Sequence, residues 1–210
     1  MTLRILSLAE RGPDEVSVTF ALQSGEHIQK ESFLLSAVQV ADLRLSVGDC
    51  DRMCYNNVEF AAKLYTAQKR ALQILSYGSC SEKMLCRKLM MKGIDREYAE
   101  DAVAWLCERG LLDSSSGAAR EVEKGIAKLW GRKRIAASLY EKGYSDQTVR
   151  QAMELLSQID EAELCARRIQ KQTGGIPTDP MERKKLLASL ERYGFSSSQI
   201  REAFRKISDA

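Results

Sequence analysis

The N-terminal part of the chain alternates between apolar and polar positions. Four apolar residues fall on one face of an extended segment, namely Val16, Val18, Phe20 and Leu22. Ser24-Gly25 marks a turn, after which residues 27–34 can pair back as a second strand. Residues 3–8 form a weaker strand before a turn at 11–14. This pattern predicts a two- or three-stranded antiparallel ribbon, which needs a packing partner to be stable.

Beyond the ribbon the apolar spacing becomes helical. Ser36-x-x-Gln39 is a capping box and predicts a short helix that begins at Ser36. From about residue 58 the apolar positions recur at helical intervals to the end of the chain. No proline lies between residues 14 and 176, so nothing there forces a helix to break.

A repeat of about 50 residues is visible in this helical part. Gly93, Gly143 and Gly194 lie 50 and 51 residues apart. Each follows a leucine by four residues and precedes a hydrophobic residue and then Asp or Ser, as in Asp95 and Ser145. A helix can end at such a glycine, and the Asp or Ser can cap the next helix. Longer helices are predicted before each unit, over residues 59–77, 118–130 and 160–172.

The third repeat has an unusual inter-helix loop, in which Asp179 can cap a helix that starts at Pro180. The predicted fold is mainly α: three tandem three-helix repeats in an elongated curved stack, with a small N-terminal antiparallel β-ribbon. We assign residues 1–57 to the ribbon and short helix, 58–115 to repeat 1, 116–159 to repeat 2 and 160–210 to repeat 3.

Composition points to a cytoplasmic protein with no membrane span. Apolar residues make up 44% of the chain and charged residues 29%, and no apolar run approaches the ~20 residues that a bilayer requires. We find no signal peptide at the N-terminus, so the six cysteines are expected to be reduced thiols. Cys50-x-x-x-Cys54 is too loose for a zinc pair, and the single histidine, His27, lies in another element. We therefore expect no metal.

The charge is unevenly distributed. Residues 1–66 carry 6 Lys/Arg against 9 Asp/Glu, whereas residues 67–210 carry 26 against 20. Basic side chains cluster around the middle repeat and the start of the third, and we take them as candidates for binding a partner or DNA: Arg120, Lys124, Lys128, Arg132, Lys133, Arg134, Arg167, Arg168 and Lys171. Arginine pairs well with carboxylate or phosphate, so an acidic protein groove or a nucleic-acid backbone would fit. A solvated helix face is the alternative.

No catalytic constellation is found in the sequence. It has no phosphate-binding glycine loop, metalloprotease helix or nucleophile elbow, and a single histidine provides little acid–base capacity near neutral pH. We expect a protein that binds and does not catalyse, without a cofactor. Trp105 and Trp130 are expected to be core anchors and not exposed stacking platforms.

Several segments together resemble the regulatory protein RecX family. The match covers Ala71-Leu72-Gln-Ile-Leu75-Ser76-Tyr77, Leu89-x-x-Lys92-Gly93-Ile94, Leu106-x-x-x-Gly110-Leu111-Leu112-Asp113, Gly131-x-x-Arg134-Ile135 and Leu139-x-x-Lys142-Gly143. Residues 113–118 depart from the family pattern, which has Asp-Asp-x-x-Phe-Ala there.

The resemblance implies a non-enzymatic regulator that binds the filament formed by the RecA recombinase on single-stranded DNA. It implies modulation, most often inhibition, of ATP hydrolysis and strand exchange in homologous recombination, DNA repair and the SOS response. Two alternatives stay open: a direct binder of single- or double-stranded DNA with helix-turn-helix-like units, and a helical scaffold for another partner. A monomer is expected.

Overall fold

The computed structural model describes residues 2–209. Most of these residues are helical, and a small antiparallel sheet lies at the N-terminus, which confirms the fold class. The chain divides into two compact units. One contains the residues up to Tyr77 together with Leu85–Arg109, and the other contains Gly78–Met84 together with the chain from Gly110 onward.

The sheet of the first unit has four strands: β1 (Thr2–Gly12), β2 (Glu15–Ser24), β3 (His27–Ser36) and β4 (Gly48–Cys50). Their order is β3-β2-β1-β4, with antiparallel pairing throughout. The predicted apolar face is confirmed, since Val18 and Phe20 are fully buried. The short strand β4 was not predicted, because three residues are too few to show an alternating pattern.

A short helix, α1 (Ala37–Asp42), follows the sheet and begins with the predicted capping box between Ser36 and Gln39. The long helix α2 (Arg52–Ser76) then packs on the sheet. It begins seven residues before the predicted residue 59, because the Asp51 side chain accepts from the Cys54 N–H at 2.7 Å and caps it there. Phe20, Phe33 and Tyr55 pack edge to face, with centroids 5.2–5.8 Å apart.

Two further helices follow, α3 (Glu82–Met91) and α4 (Arg96–Glu108). In the first unit α4 packs against α2, and the rings of Phe60 and Tyr98 lie 5.4 Å apart. Trp105 is half-buried, with the Arg109 guanidinium 4.4 Å from its ring centre. The prediction of a core anchor therefore holds for only part of this side chain.

The second unit contains the remaining helices: α5 (Ser114–Ala127), α6 (Arg132–Glu141), α7 (Asp146–Met153), a 3-10 turn (Glu154–Gln158), α8 (Glu161–Thr173), α9 (Pro180–Arg192) and α10 (Ser197–Ser208). Val122, Ile135 and Leu156 belong to the core of α5–α7, and Ile169 and Phe195 belong to the core of α8–α10. The first of these helices begins four residues before the predicted residue 118, because Asp113 accepts from the Ser115 and Ser116 N–H groups.

The three repeat glycines adopt the same left-handed conformation, with φ of +82° at Gly93, +77° at Gly143 and +90° at Gly194. The residue after each glycine donates its N–H to the leucine carbonyl five positions back, at 3.2 Å in all three cases. This is the helix ending that the sequence predicted.

The predicted caps agree with the structure at some positions and not at another. The Ser145 hydroxyl accepts from the Thr148 N–H at 3.2 Å, and Asp179 caps α9 with Pro180 at its first position. Asp95 occupies the N-cap position of α4 but its side chain forms no capping hydrogen bond, so that prediction was wrong.

Candidate partner-binding site

The start of α6 is fixed by backbone contacts with the end of α9. The Gly131 N–H donates to the Tyr193 carbonyl at 2.7 Å, and the Lys133 N–H donates to the Gly194 carbonyl at 3.2 Å. Donors at a helix N-terminus and acceptors at a helix C-terminus thus satisfy each other. A Cβ atom at Gly131 would lie 2.5 Å from the Gly194 carbonyl carbon, so this approach requires glycine. These backbone hydrogen bonds hold the first turn of α6, which contains Lys133 and Arg134, against the end of α9.

A similar junction lies 50 residues earlier within the same unit. Ser81, at the start of α3, donates its hydroxyl hydrogen to the Lys142 carbonyl at 2.5 Å. Ser81 and Lys142 occupy the repeat positions of Gly131 and Tyr193. The repeat therefore fixes where the helices end. It also fixes the contact between the start of a helix in one repeat and the glycine turn of the next repeat.

Five side chains around the Gly131–Gly194 junction stack in alternation, and we call them the cation–aromatic cluster: Lys128, Trp130, Arg134, Tyr193 and Arg168. The Lys128 ammonium lies 5.0 Å from the centre of the Trp130 ring. The Arg134 guanidinium lies 4.6 Å from that ring and 5.1 Å from the Tyr193 ring. The Arg168 guanidinium lies 3.5 Å from the Tyr193 ring. Such contacts stabilise by roughly 0.5–2 kcal/mol each.

Three predicted contact residues belong to this cluster and stack on aromatic rings of the chain itself, namely Lys128, Arg134 and Arg168. Arg134 also donates from Nη1 to the Arg192 carbonyl at 3.2 Å, which ties α6 to the end of α9. The Arg168 Nε is buried without a hydrogen-bond partner among the described residues, and its guanidinium covers the Tyr193 ring instead. Trp130 is only half-buried, and Lys128 and Arg134 stack on its ring. The prediction of a core anchor therefore holds for only part of this side chain.

Two other predicted residues form ion pairs within the chain. Lys124 lies 2.8 Å from Glu121, and Arg132 lies 2.8 Å from Glu161. Lys142 also contacts Glu121. Burial of Glu121 opposes ionisation, but hydrogen bonds from Lys124 and Lys142 outweigh it and hold the pKa of the carboxyl below its usual value. Lys124 and Arg132 therefore offer less free charge to a partner than the sequence suggests.

Four predicted residues are exposed and form neither an ion pair nor a cation–π contact within residues 2–209: Arg120, Lys133, Arg167 and Lys171. We call these the free cations. Arg167 and Lys171 are four residues apart on α8 and share a helix face. Arg120 lies apart from them on α5. The basic candidates are thus distributed over three helices of the second unit.

Lys133 and Arg134 line a surface cavity of about 410 Å³ between α6 and the end of α9. Arg192 also lines it, together with Trp130. Arg192 was not predicted: it is exposed, forms no salt bridge among the described residues, and also borders two neighbouring surface cavities. Nothing in the sequence distinguishes it from other surface arginines, because its neighbours in the cavity lie some 60 residues earlier in the chain.

The cavity is not purely cationic. Glu141 and Glu191 lie on its wall beside the three basic residues. A partner that fits it must therefore present hydrogen-bonding groups as well as negative charge. Among residues 2–209 there is no group of three or more side chains suited to hold a metal ion. Over the same residues, none of the helices combines the length and apolar character that crossing a bilayer demands.

Comparison with known proteins gives consistent relatives. No family model matches the chain. Regulatory protein RecX of Chlorobaculum tepidum is 31% identical over 147 residues, which cover 69% of this chain and 90% of that protein. Regulatory protein RecX of Stenotrophomonas maltophilia is 34% identical over 143 residues, which cover 67% and 86%. Both matches span most of the relative's length.

Solved structures with this fold are also found. A crystal structure of regulatory protein RecX superposes with a TM-score of 0.74 at 22% identity and covers 99% of this chain and all of the other. RecX from Lactobacillus salivarius gives a TM-score of 0.61 at 21% identity over 70% of this chain. The relatives in sequence and the shared fold agree, and the chain belongs to the RecX family of regulatory proteins.

Proposed function

We propose that this chain binds the RecA–single-stranded DNA filament and lowers its rate of ATP hydrolysis and strand exchange. Membership of the RecX family carries this proposal, since the relatives are named as regulatory proteins. The chain acts by occupying the filament and not by catalysis. It works in the cytoplasm, as a monomer without a cofactor, in recombination, DNA repair and the SOS response.

We choose the proposed contact residues by asking which candidate side chains already pair with a group inside the chain. The free cations and Arg192 point into solvent without an internal ion pair, so a partner's carboxylates or phosphates can pair with them. Lys124 and Arg132 must first give up Glu121 and Glu161. Arg134 and Arg168 hold the cation–aromatic cluster and position their neighbours. The free cations therefore make the larger contribution to binding.

Co-sedimentation with the filament tests this proposal. RecA from the same organism is assembled on single-stranded DNA with a non-hydrolysable ATP analogue and pelleted together with the chain. We expect saturable recovery of the chain in the pellet, and little recovery with DNA alone at the same salt. Recovery that is equal with and without RecA would contradict filament binding.

Direct DNA binding is the second candidate, favoured by the unpaired charge of Lys133 and Arg192 at one cavity. Binding that depends on phosphate contacts weakens with salt, with a slope of about −0.7 in log K against log salt for each phosphate on single strands. Anisotropy of labelled DNA without RecA measures this slope. Negligible binding at low salt would remove this candidate and leave the filament proposal intact.

A further inference from the structure

Two thiols lie at the point where the sheet of the first unit passes into α2. Cys50 is the last residue of β4, paired opposite Leu3 of β1, and Cys54 lies in the first turn of α2. Asp51 turns the chain between them, because its carboxylate accepts from the Cys54 N–H at 2.7 Å. Both cysteines are partly buried against the same apolar core.

The two cysteines flank the Asp51 cap and pack against one apolar core, which brings their side chains near each other. Each thiol also affects the pKa of the other, raising it at Cys50 and lowering it at Cys54. Cys86 and Cys165 differ in this respect. Cys165 is fully buried in the core of α8–α10, and the charged groups near Cys86 are Glu100 and Arg96. Cys50 and Cys54 thus form a dithiol held together by the fold.

We propose that Cys50 and Cys54 form an oxidation site, which closes to an intramolecular disulfide on reaction with a small-molecule disulfide such as oxidised glutathione. In the first step the Cys54 thiolate attacks one glutathione sulfur, the glutathione S–S bond breaks, and one glutathione thiolate leaves. In the second step the Cys50 sulfur attacks the mixed disulfide and expels the second glutathione. The dithiol loses two electrons and two protons, and oxidised glutathione becomes two molecules of reduced glutathione.

The local environment sets which thiol reacts first and how fast. Burial raises the pKa of both thiols, and the aspartates at 49 and 51 add to this effect at Cys50. The neighbouring Cys50 thiol acts in the opposite direction at Cys54 and lowers its pKa, which favours Cys54 as the attacking group. Because the thiolate reacts and the thiol does not, oxidation is slow near neutral pH and accelerates as pH rises.

The product would join β4 to the start of α2 through a closed turn. Strand β4 has only three residues and pairs with β1 alone. A covalent bond from Cys50 to α2 would hold this short edge strand in place. The proposal concerns the first unit and does not depend on RecA binding, so either can fail without the other.

Peptide mapping provides a direct test. Trypsin cleaves after Arg44, Arg52 and Lys63, so Cys50 and Cys54 fall in different peptides, 45–52 and 53–63. The folded full chain is treated with oxidised glutathione, its remaining thiols are alkylated, and it is digested without reductant. We expect these two peptides to appear as one disulfide-linked pair, which reductant separates. The linked pair should form faster at about pH 8.5 than at about pH 7.

Variants separate closure from simple modification. Cys50→Ser should instead accumulate one glutathione on Cys54, because no second thiol can displace it. Cys86→Ser is the matched control, removing another half-buried thiol, and should form the linked pair as the unchanged protein does. A stable glutathione adduct on the unchanged protein without the linked pair would overturn the proposal. So would a linked pair that forms no faster in the folded chain than in denaturant.

Discussion

At the scale of single residues, the same side-chain type serves different purposes in this molecule. Arg132 and Arg134 are two positions apart, yet one pairs with Glu161 and the other lies between two aromatic rings. Lys133, between them, remains free of ion pairs in the described chain and lines the cavity at the end of α6. Only the fold distinguishes them, because Glu161 and Tyr193 follow much later in the sequence.

The first prediction concerns the free cations. Replacing Lys133, Arg167 and Lys171 together by alanine should weaken filament binding about tenfold or more, since exposed charge pairs with a partner contribute roughly 0.5–1 kcal/mol each. Lys124→Ala is the contrasting variant and should have a smaller effect, because its charge is already paired with Glu121. Co-sedimentation titrations measure both. An unchanged affinity for the triple variant would exclude these residues as contacts.

The second prediction concerns the glycine at the junction. Gly194→Ala should destabilise the second unit by about 3 kcal/mol or more. The φ of Gly194 is +90°, and the new Cβ would lie 2.3 Å from the backbone nitrogen of Arg134. Gly174→Ala in the same unit should cost only about 1 kcal/mol, since φ is +70° but no atom lies within 4 Å. Urea unfolding compares them, and equal losses would contradict the close approach.

The third prediction concerns pH. The hydrogen bond to Glu31 raises the pKa of Tyr55 to about 12. An unfolded tyrosine ionises near pH ~10, so the folded state retains this proton more tightly. Stability from the pair should be complete below pH ~10 and should be lost as pH rises from there toward about 12.

Absorbance titration of the phenols checks this prediction. The difference between the unchanged protein and Tyr55→Phe should show a midpoint near 12, and Glu31→Gln should lower that midpoint. A difference curve centred near pH ~10 would show that Tyr55 has no such partner.

At the scale of elements, helix caps and glycine turns set where each repeat begins and ends. In the third repeat the position of Gly131 is occupied by Glu182, which lies inside α9 and donates its N–H to the Asp179 carboxylate at 2.8 Å. Because α9 extends by an extra turn at its start, this N–H is not available to dock on a further glycine turn. The start of α9 therefore differs from the start of α6.

The fourth prediction compares two caps. Ser145→Ala should destabilise the second unit by about 1 kcal/mol, because its hydroxyl caps the Thr148 N–H. Asp95→Ala should change stability by less than about 0.5 kcal/mol, since its side chain makes no capping bond. Thermal unfolding of the two variants measures the difference, and a larger loss for Asp95→Ala would contradict the assigned caps.

Local patterns predicted the elements better than they predicted contacts. The apolar face of β2, the glycine helix ends and the Ser36 capping box follow from neighbouring residues, so the sequence reveals them. The early start of α2 depends on the Asp51 cap, which the spacing of apolar residues does not reveal. Tyr193 and Arg192 join the candidate site only through tertiary packing, which short sequence windows cannot show.

At the scale of the whole molecule, charge differs between the two ends of the chain. The sheet-bearing N-terminal segment is acidic, and the helical remainder is basic. The free cations all belong to the second unit, where backbone hydrogen bonds and stacked arginines hold the helix ends in place. We expect this unit to contribute most of the electrostatic attraction to a negatively charged filament.

Whether the chain inhibits RecA is decided by a titration of RecA's ATPase on single-stranded DNA with increasing amounts of this chain. RecA from the same organism is used at a fixed salt concentration, and the Lys133, Arg167 and Lys171 alanine variant is run in parallel. We expect hydrolysis to fall progressively with the unchanged chain, and the variant to need a higher concentration for the same effect. A rate that stays constant across the titration, at concentrations well above that of RecA, would contradict it.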